Sequence, residues 1–144
     1  MNLSELYESI QTDLEIDNTE LDKESLRTPQ LHNKYLIKYS NEKVILHKMY
    51  CDMKIQKRDK WLYYTGKLSE EELKEKNWEP FDLVILKTDV DKFINADNDI
   101  LSLEIKIKLQ EEIVHYLESV VKIISNRQWN IRAALDWIKF TQNA

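Results

Sequence analysis

From Pro29 nothing interrupts a helix until Gly66, a stretch of about 37 residues and on the order of 55 Å if helical. Gly66 is the only glycine among the 144 residues, and Pro80 is the only other proline. Tight turns draw on glycine for positive φ and on proline for a preset φ. A chain with so few of either cannot make many short strands and must be built from a few long helices. Its 33% charged and 42% apolar residues are the balance of amphipathic helices.

Taken in order, Asn2 with Glu5 resembles a capping box, and Leu3, Leu6, Ile10 and Leu14 form a helical stripe, so a short helix is expected over about 3–14. Asp17-Asn18-Thr19 breaks it and caps a second short helix through about Leu26. Thr28-Pro29 is a start signal, since a Thr side chain accepts from orphan N–H groups and Pro at the first position gives up a donor that lacks a partner. A long helix over about 29–65 follows, stopped by Gly66, then a short acidic helix within Ser69–Glu79. Leu101, Leu103, Ile105, Ile107 and Leu109 alternate as a strand would. Ile105, Leu109, Ile113, Leu117, Val120 and Ile124 hold helical spacing, however, and a lone strand has no partner in such a chain. The expectation is a helix over about 99–126, and a last one over Asn130–Gln142. The fold class is therefore all-α, with residues 1–144 as a single domain. Its parts are 1–67, an acidic connector 68–98, and a C-terminal helical part 99–144.

On the long helix, Ile37, Val44, Cys51, Ile55 and Leu62 line one apolar stripe, and Ile45, Met49 and Met53 begin another. Two sides thus want partners, which predicts helix-on-helix packing, part of it between copies. Cys51 is the only cysteine, excludes an internal disulfide and is expected as a small buried hydrophobe. No apolar run reaches the ~18 residues of a membrane span. The acidic N-terminus is unlike a signal peptide, which together point to a soluble intracellular protein.

The net charge of -5 hides a block structure. Residues 1–33 carry 2 bases and 8 acids, residues 34–67 carry 9 and 3, residues 68–104 carry 4 and 11, and the remainder 6 and 4. Within the basic block, Lys54, Lys57, Arg58, Lys60 and Lys67 stand with Trp61, Tyr63 and Tyr64 against one acid, Asp59. On a helical projection Tyr39, Lys43, His47, Tyr50, Lys54, Lys57, Arg58 and Trp61 form one stripe of rings and cations. Single-stranded nucleic acid needs this mixture, cations for phosphate and rings for unpaired bases. A solvated basic helix face with some rings turned to the core has the same composition. Catalytic signals are absent: His32, His47 and His115 share no metal-ligand spacing, and no glycine loop can cradle phosphates. Asp89, Asp91, Asp97 and Asp99 lack the glycine and closing acid of a calcium loop and read as capping chemistry. No enzyme, metal or cofactor is expected.

The Lys-Arg-Asp-Lys run at 57–60 stands directly before Tyr63-Tyr64-Thr65-Gly66-Lys67. Asp97-Asn98-Asp99 leads into the long apolar helix, followed by Ser125-Asn126-Arg127-Gln128-Trp129-Asn130-Ile131 and Ala134-Leu135-Asp136-Trp137-Ile138-Lys139-Phe140. In this order and spacing the sequence resembles the UvsY family, recombination mediators of T-even-like phages, over nearly its full length. The resemblance implies a ring-shaped homo-oligomer of six or seven copies, closed through the C-terminal part, that binds single-stranded DNA. It also implies loading of a RecA-like recombinase onto strands coated by single-strand-binding protein, in the cytoplasm of an infected host cell. The family's Lys-x-Arg pair before the Tyr-Tyr motif matches Arg58 and Lys60, with the two cations in reversed order. The DNA-binding candidates are Lys54, Lys57, Arg58, Lys60, Trp61, Tyr64 and Lys67. The oligomerisation candidates are Ile113, Leu117, Val121, Ile124, Trp129, Ile131, Leu135, Trp137, Ile138 and Phe140. The competing reading is a structural helical oligomer or protein–protein adaptor that does not bind DNA.

Overall fold

The computed structural model describes residues 2–143, and among them every regular element is helical. The helices are α1 (Leu3–Leu14), α2 (Leu21–Tyr64), α3 (Glu70–Lys76), α4 (Val90–Asn95), α5 (Asn98–Ser125) and α6 (Arg127–Gln142), with one 3-10 turn at Lys87–Asp89. The Asn2 side chain accepts from the Ser4 N–H and caps α1. The end of α2 follows from Gly66, whose φ of 70° turns the chain left-handed. There the Gly66 N–H donates to Tyr63 O at 3.2 Å and the Lys67 N–H to Leu62 O at 2.9 Å, which satisfies carbonyls that the helix leaves open. α3 is capped by Ser69 and closed by Asn77 at φ 57°, Asn being the residue that tolerates this region best after glycine. The alternating segment 101–109 is helical within α5. No helix among the described residues is long and apolar enough to cross a membrane.

Two expectations about α2 are overturned. No second short helix ends near Leu26, and Thr28-Pro29 starts nothing, because α2 runs through Pro29. Proline has no N–H, so the Ser25 carbonyl one turn earlier loses its helical donor. Gln128, at the start of α6, supplies one: its Nε2 donates to Ser25 O at 3.0 Å, while Ser25 Oγ donates to Gln128 Oε1 at 2.9 Å. Beside it Arg127, only 2% exposed, donates from Nη1 to Glu24 O and to Thr28 Oγ1, each at 2.8 Å. Its Nη2 reaches Glu15 O and pairs with the Glu24 carboxylate. Cys51 is likewise not a core residue but stands exposed on α2, with Sγ 3.8 Å from His47 Nε2.

The chain divides into two compact units, Met1–Val44 with Glu111–Ala144 and Ile45–Gln110. α2 and α5 each give residues to both. The first unit is built on Leu6 and Ile10 of α1, Leu31 and Tyr35 of α2, and Ile113, Leu117, Val120 and Ile124 of α5. Here the structure corrects the oligomerisation set. Ile113, Leu117, Ile124 and Ile131 are buried inside their own chain and have no surface to offer a second copy. Val121 is half-buried against the same core. Trp129, Leu135, Trp137 and Phe140 do stand exposed on α6, and Ile138 is intermediate. The second unit is built on Val90, Ile94 and Ile100, with Met53, Tyr64 and Ile85 packed against them.

Candidate nucleic-acid interface

The basic stretch lies in the second unit, on the last turns of α2 and the turn beyond. Lys54, Lys57, Arg58, Trp61 and Lys67 are exposed. Their common exposure follows from the helical period, which sets residues 54, 57, 58 and 61 on one side of α2. Lys67 comes back towards this side once Gly66 has reversed the chain, and its Nζ sits 4.4 Å from the centre of the Trp61 ring. Trp61 is 41% exposed, so its ring is available to a flat partner, as an indole lodged in a core is not.

Arg58 is organised by its neighbour. The Asp59 Oδ1 accepts from Arg58 Nε at 3.2 Å and from Nη2 at 3.1 Å, which leaves Nη1 of the fork turned away from the carboxylate. Asp59 Oδ2 accepts from Lys76 Nζ of α3 at 3.0 Å. Burial pushes the Asp59 carboxyl up, but the bonds from Lys76 and Arg58 outweigh it and hold the group below the usual carboxylate range. Sequence reasoning missed Lys76, which sits in an acidic segment. Only the reversal at Gly66 brings it beside Asp59, and its one legible trace was a single acid inside a basic run.

Lys60 and Tyr64 are placed differently from the rest of the candidates. Lys60 is only 4% exposed and its Nζ lies 2.7 Å from Asp99 Oδ2 and 3.1 Å from Asp97 Oδ2. The expectation that it lies open to phosphate is therefore corrected: it falls on the side of α2 that faces the start of α5. Tyr64 is half-buried, donates to Asp97 Oδ2 at 2.6 Å, and packs edge-on against Phe81 at 4.9 Å between ring centres. It is a packing residue of an aromatic cluster with Tyr63, Trp78, Phe81 and Phe93. Burial pushes the Asp97 carboxyl up, while bonds from Tyr64, the Ile100 N–H and Lys60 bring it below its ordinary value. Among the described residues no group of three or more His, Cys, Asp or Glu is placed to hold a metal ion.

A surface of exposed cations beside an exposed indole is chemistry for a polyanion with flat bases, and residues 9–143 match the family described as recombination, repair and ssDNA binding protein UvsY. The chain belongs to the UvsY family. It is 23% identical over 140 residues to the recombination protein uvsY of Enterobacteria phage T4, covering 97% of each chain. Crystal structures of the bacteriophage T4 recombination mediator protein UvsY share its fold. One superposes with a TM-score of 0.84 at 21% identity, covering 97% of this chain and 99% of that one, and another with 0.80 at 22% identity, covering 99% and 98%. The match spans both UvsY units described above, so the all-helical fold extends over the whole of the compared length.

Proposed function

We propose that the chain is a non-enzymatic recombination mediator, which binds single-stranded DNA and loads a RecA-like recombinase onto strands coated by single-strand-binding protein. It does so as a ring-shaped homo-oligomer in the cytoplasm of an infected host cell. The observation that carries the reading is the shared exposure of Lys54, Lys57, Arg58, Lys67 and Trp61 on one stretch of the second unit. The cations neutralise phosphates and release counterions, and Trp61 stacks on a base. The acidic composition elsewhere confines the strand to this surface, since the local field and not the net charge governs binding. Repetition around a ring joins weak individual sites into one strong one through effective concentration. Partner recognition then falls to surfaces away from this stripe.

The test is Lys57→Ala with Arg58→Ala in the full chain, titrated with a short single-stranded oligonucleotide across a salt series. Each lost phosphate contact removes about 0.7 from the slope of log affinity against log salt, so the double variant should lose about 1.4 per engaged subunit. Affinity should fall at least about tenfold at moderate salt, with helicity unaltered, because Lys57 stands in water and Asp59 keeps its bond from Lys76 when Arg58 is replaced. An unchanged slope and affinity would abandon the DNA site and favour the adaptor reading.

A further inference from the structure

We infer that Lys60 is a positioning residue of the DNA-binding unit whose ammonium never contacts phosphate, its charge being spent on holding the capped start of α5 against α2. The inference rests on the proposed DNA surface, of which it decides the membership. Lys60 Nζ touches two carboxylates, at 2.7 Å and 3.1 Å, and lies 3.9 Å from the centre of the Trp78 ring. One carboxylate is no ordinary surface acid. Asp97 Oδ1 accepts from the Asp99 N–H at 2.9 Å and the Ile100 N–H at 3.2 Å, and its Oδ2 accepts from Tyr64. Asp97 therefore caps a helix of 28 residues while its side chain is only 7% exposed.

A phosphate reaching Lys60 would have to displace both carboxylates and come to rest beside them. Asp97 would be left enclosed, without its cation and facing a second anion, the situation in which a broken buried pair is most unfavourable. Lys54, Lys57 and Lys67 offer the same charge with no such loss, and Arg58 shares its carboxylate, Asp59, with Lys76, which stays in place. Asp99, whose side chain is 53% exposed, keeps its hydration without Lys60, so Asp97 is the partner that needs the lysine. Removing the charge from both members of that pair together should restore what removing one destroys. An Asn at position 97 still accepts from the two N–H groups through its oxygen, and its amide donates to the Tyr64 hydroxyl. A Met at position 60 keeps an apolar stem over Trp78.

The experiment compares Lys60→Met, the double variant Lys60→Met/Asp97→Asn, and Lys57→Ala/Arg58→Ala in the full chain, by thermal melting and by the salt series with a short single-stranded oligonucleotide. Lys60→Met alone should lower the melting temperature by about 10 °C and weaken binding. The double variant should recover most of both, with a slope of log affinity against log salt equal to that of the unaltered chain. A merely stabilising residue moves the melt; a phosphate contact moves the slope and cannot be rescued from position 97. If the double variant melts normally but binds weakly with a slope flatter by about 0.7, Lys60 contacts DNA and the inference is overturned. If Lys60→Met melts like the unaltered chain, the positioning role is overturned by stability alone. A wild-type slope in Lys57→Ala/Arg58→Ala would instead strike the DNA surface itself, and is told apart by which variant fails.

Discussion

Tyr35 is fully enclosed in the first unit, and its hydroxyl donates to the Asp13 carboxylate, which also pairs with Lys34 at 2.7 Å. Burial, and then the neighbouring carboxylate, push the phenol up to about 12 from an ordinary 10.0. The folded state thus prefers the neutral ring. Its contribution to stability is complete below pH 10 and is lost as pH rises from there through about 12. Tyr64 is raised in the same sense. Melting temperature followed against pH should therefore fall across this alkaline window, and Tyr35→Phe should flatten part of the fall while losing about 1 kcal/mol at neutral pH. At the acid end the sign reverses, since Asp97 and Asp13 are depressed below 3.8 and lose their contribution as pH falls through their native values. Composition pointed to Lys54, Lys57, Arg58, Trp61 and Lys67 as surface groups, because period and charge agree there. It could not separate Lys60 from them. A lysine's partner is a matter of which acid the fold brings near, and Asp97 and Asp99 belong to a helix that begins far along the chain.

At the scale of elements, helix ends written in local chemistry were readable: Asn2, Gly66, Ser69 and Asp97 each cap or stop a helix where they stand. Thr28-Pro29 misled because its effect is cancelled from a distance. The open Ser25 carbonyl is met by Gln128, and Arg127 bonds the carbonyl of Glu24 beside it. This makes a coupling that can be measured. Gln128→Ala should lose about 1 kcal/mol of stability while Pro29 is present. In a Pro29→Ala background, where residue 29 again donates to Ser25, the same substitution should lose clearly less. Denaturant unfolding of the four proteins of this cycle gives the interaction energy directly, and additivity of the two single changes would show that the stitch is idle. The alternating run at 101–109 shows the opposite case, in which a local strand pattern was overruled by the longer helical period and the absence of any strand to pair with.

For the whole molecule, periodicity identified which faces of α5 and α6 are apolar but not what covers them. Ile113 and Leu117 turned out to be covered by α1 and α2 of the same chain, whereas Trp137 and Phe140 remain 64% and 67% exposed, 5.7 Å apart between ring centres. The two classes should respond differently to substitution. Leu117→Ala should destabilise by about 2–5 kcal/mol, as large-to-small core changes do. Trp137→Ala with Phe140→Ala should leave the melting of the helices nearly unchanged but shift the mass in sedimentation towards smaller species; an unaltered assembly would place the contact between copies elsewhere. A last property belongs to the turn at Gly66. A Cβ built there meets nothing within 4 Å, although φ is 70°. Space is not what glycine provides at this point; it provides freedom from the chirality of the other residues. The one glycine in the chain thus marks a place where the fold answers to the hand of the residue and not to the room around a Cβ.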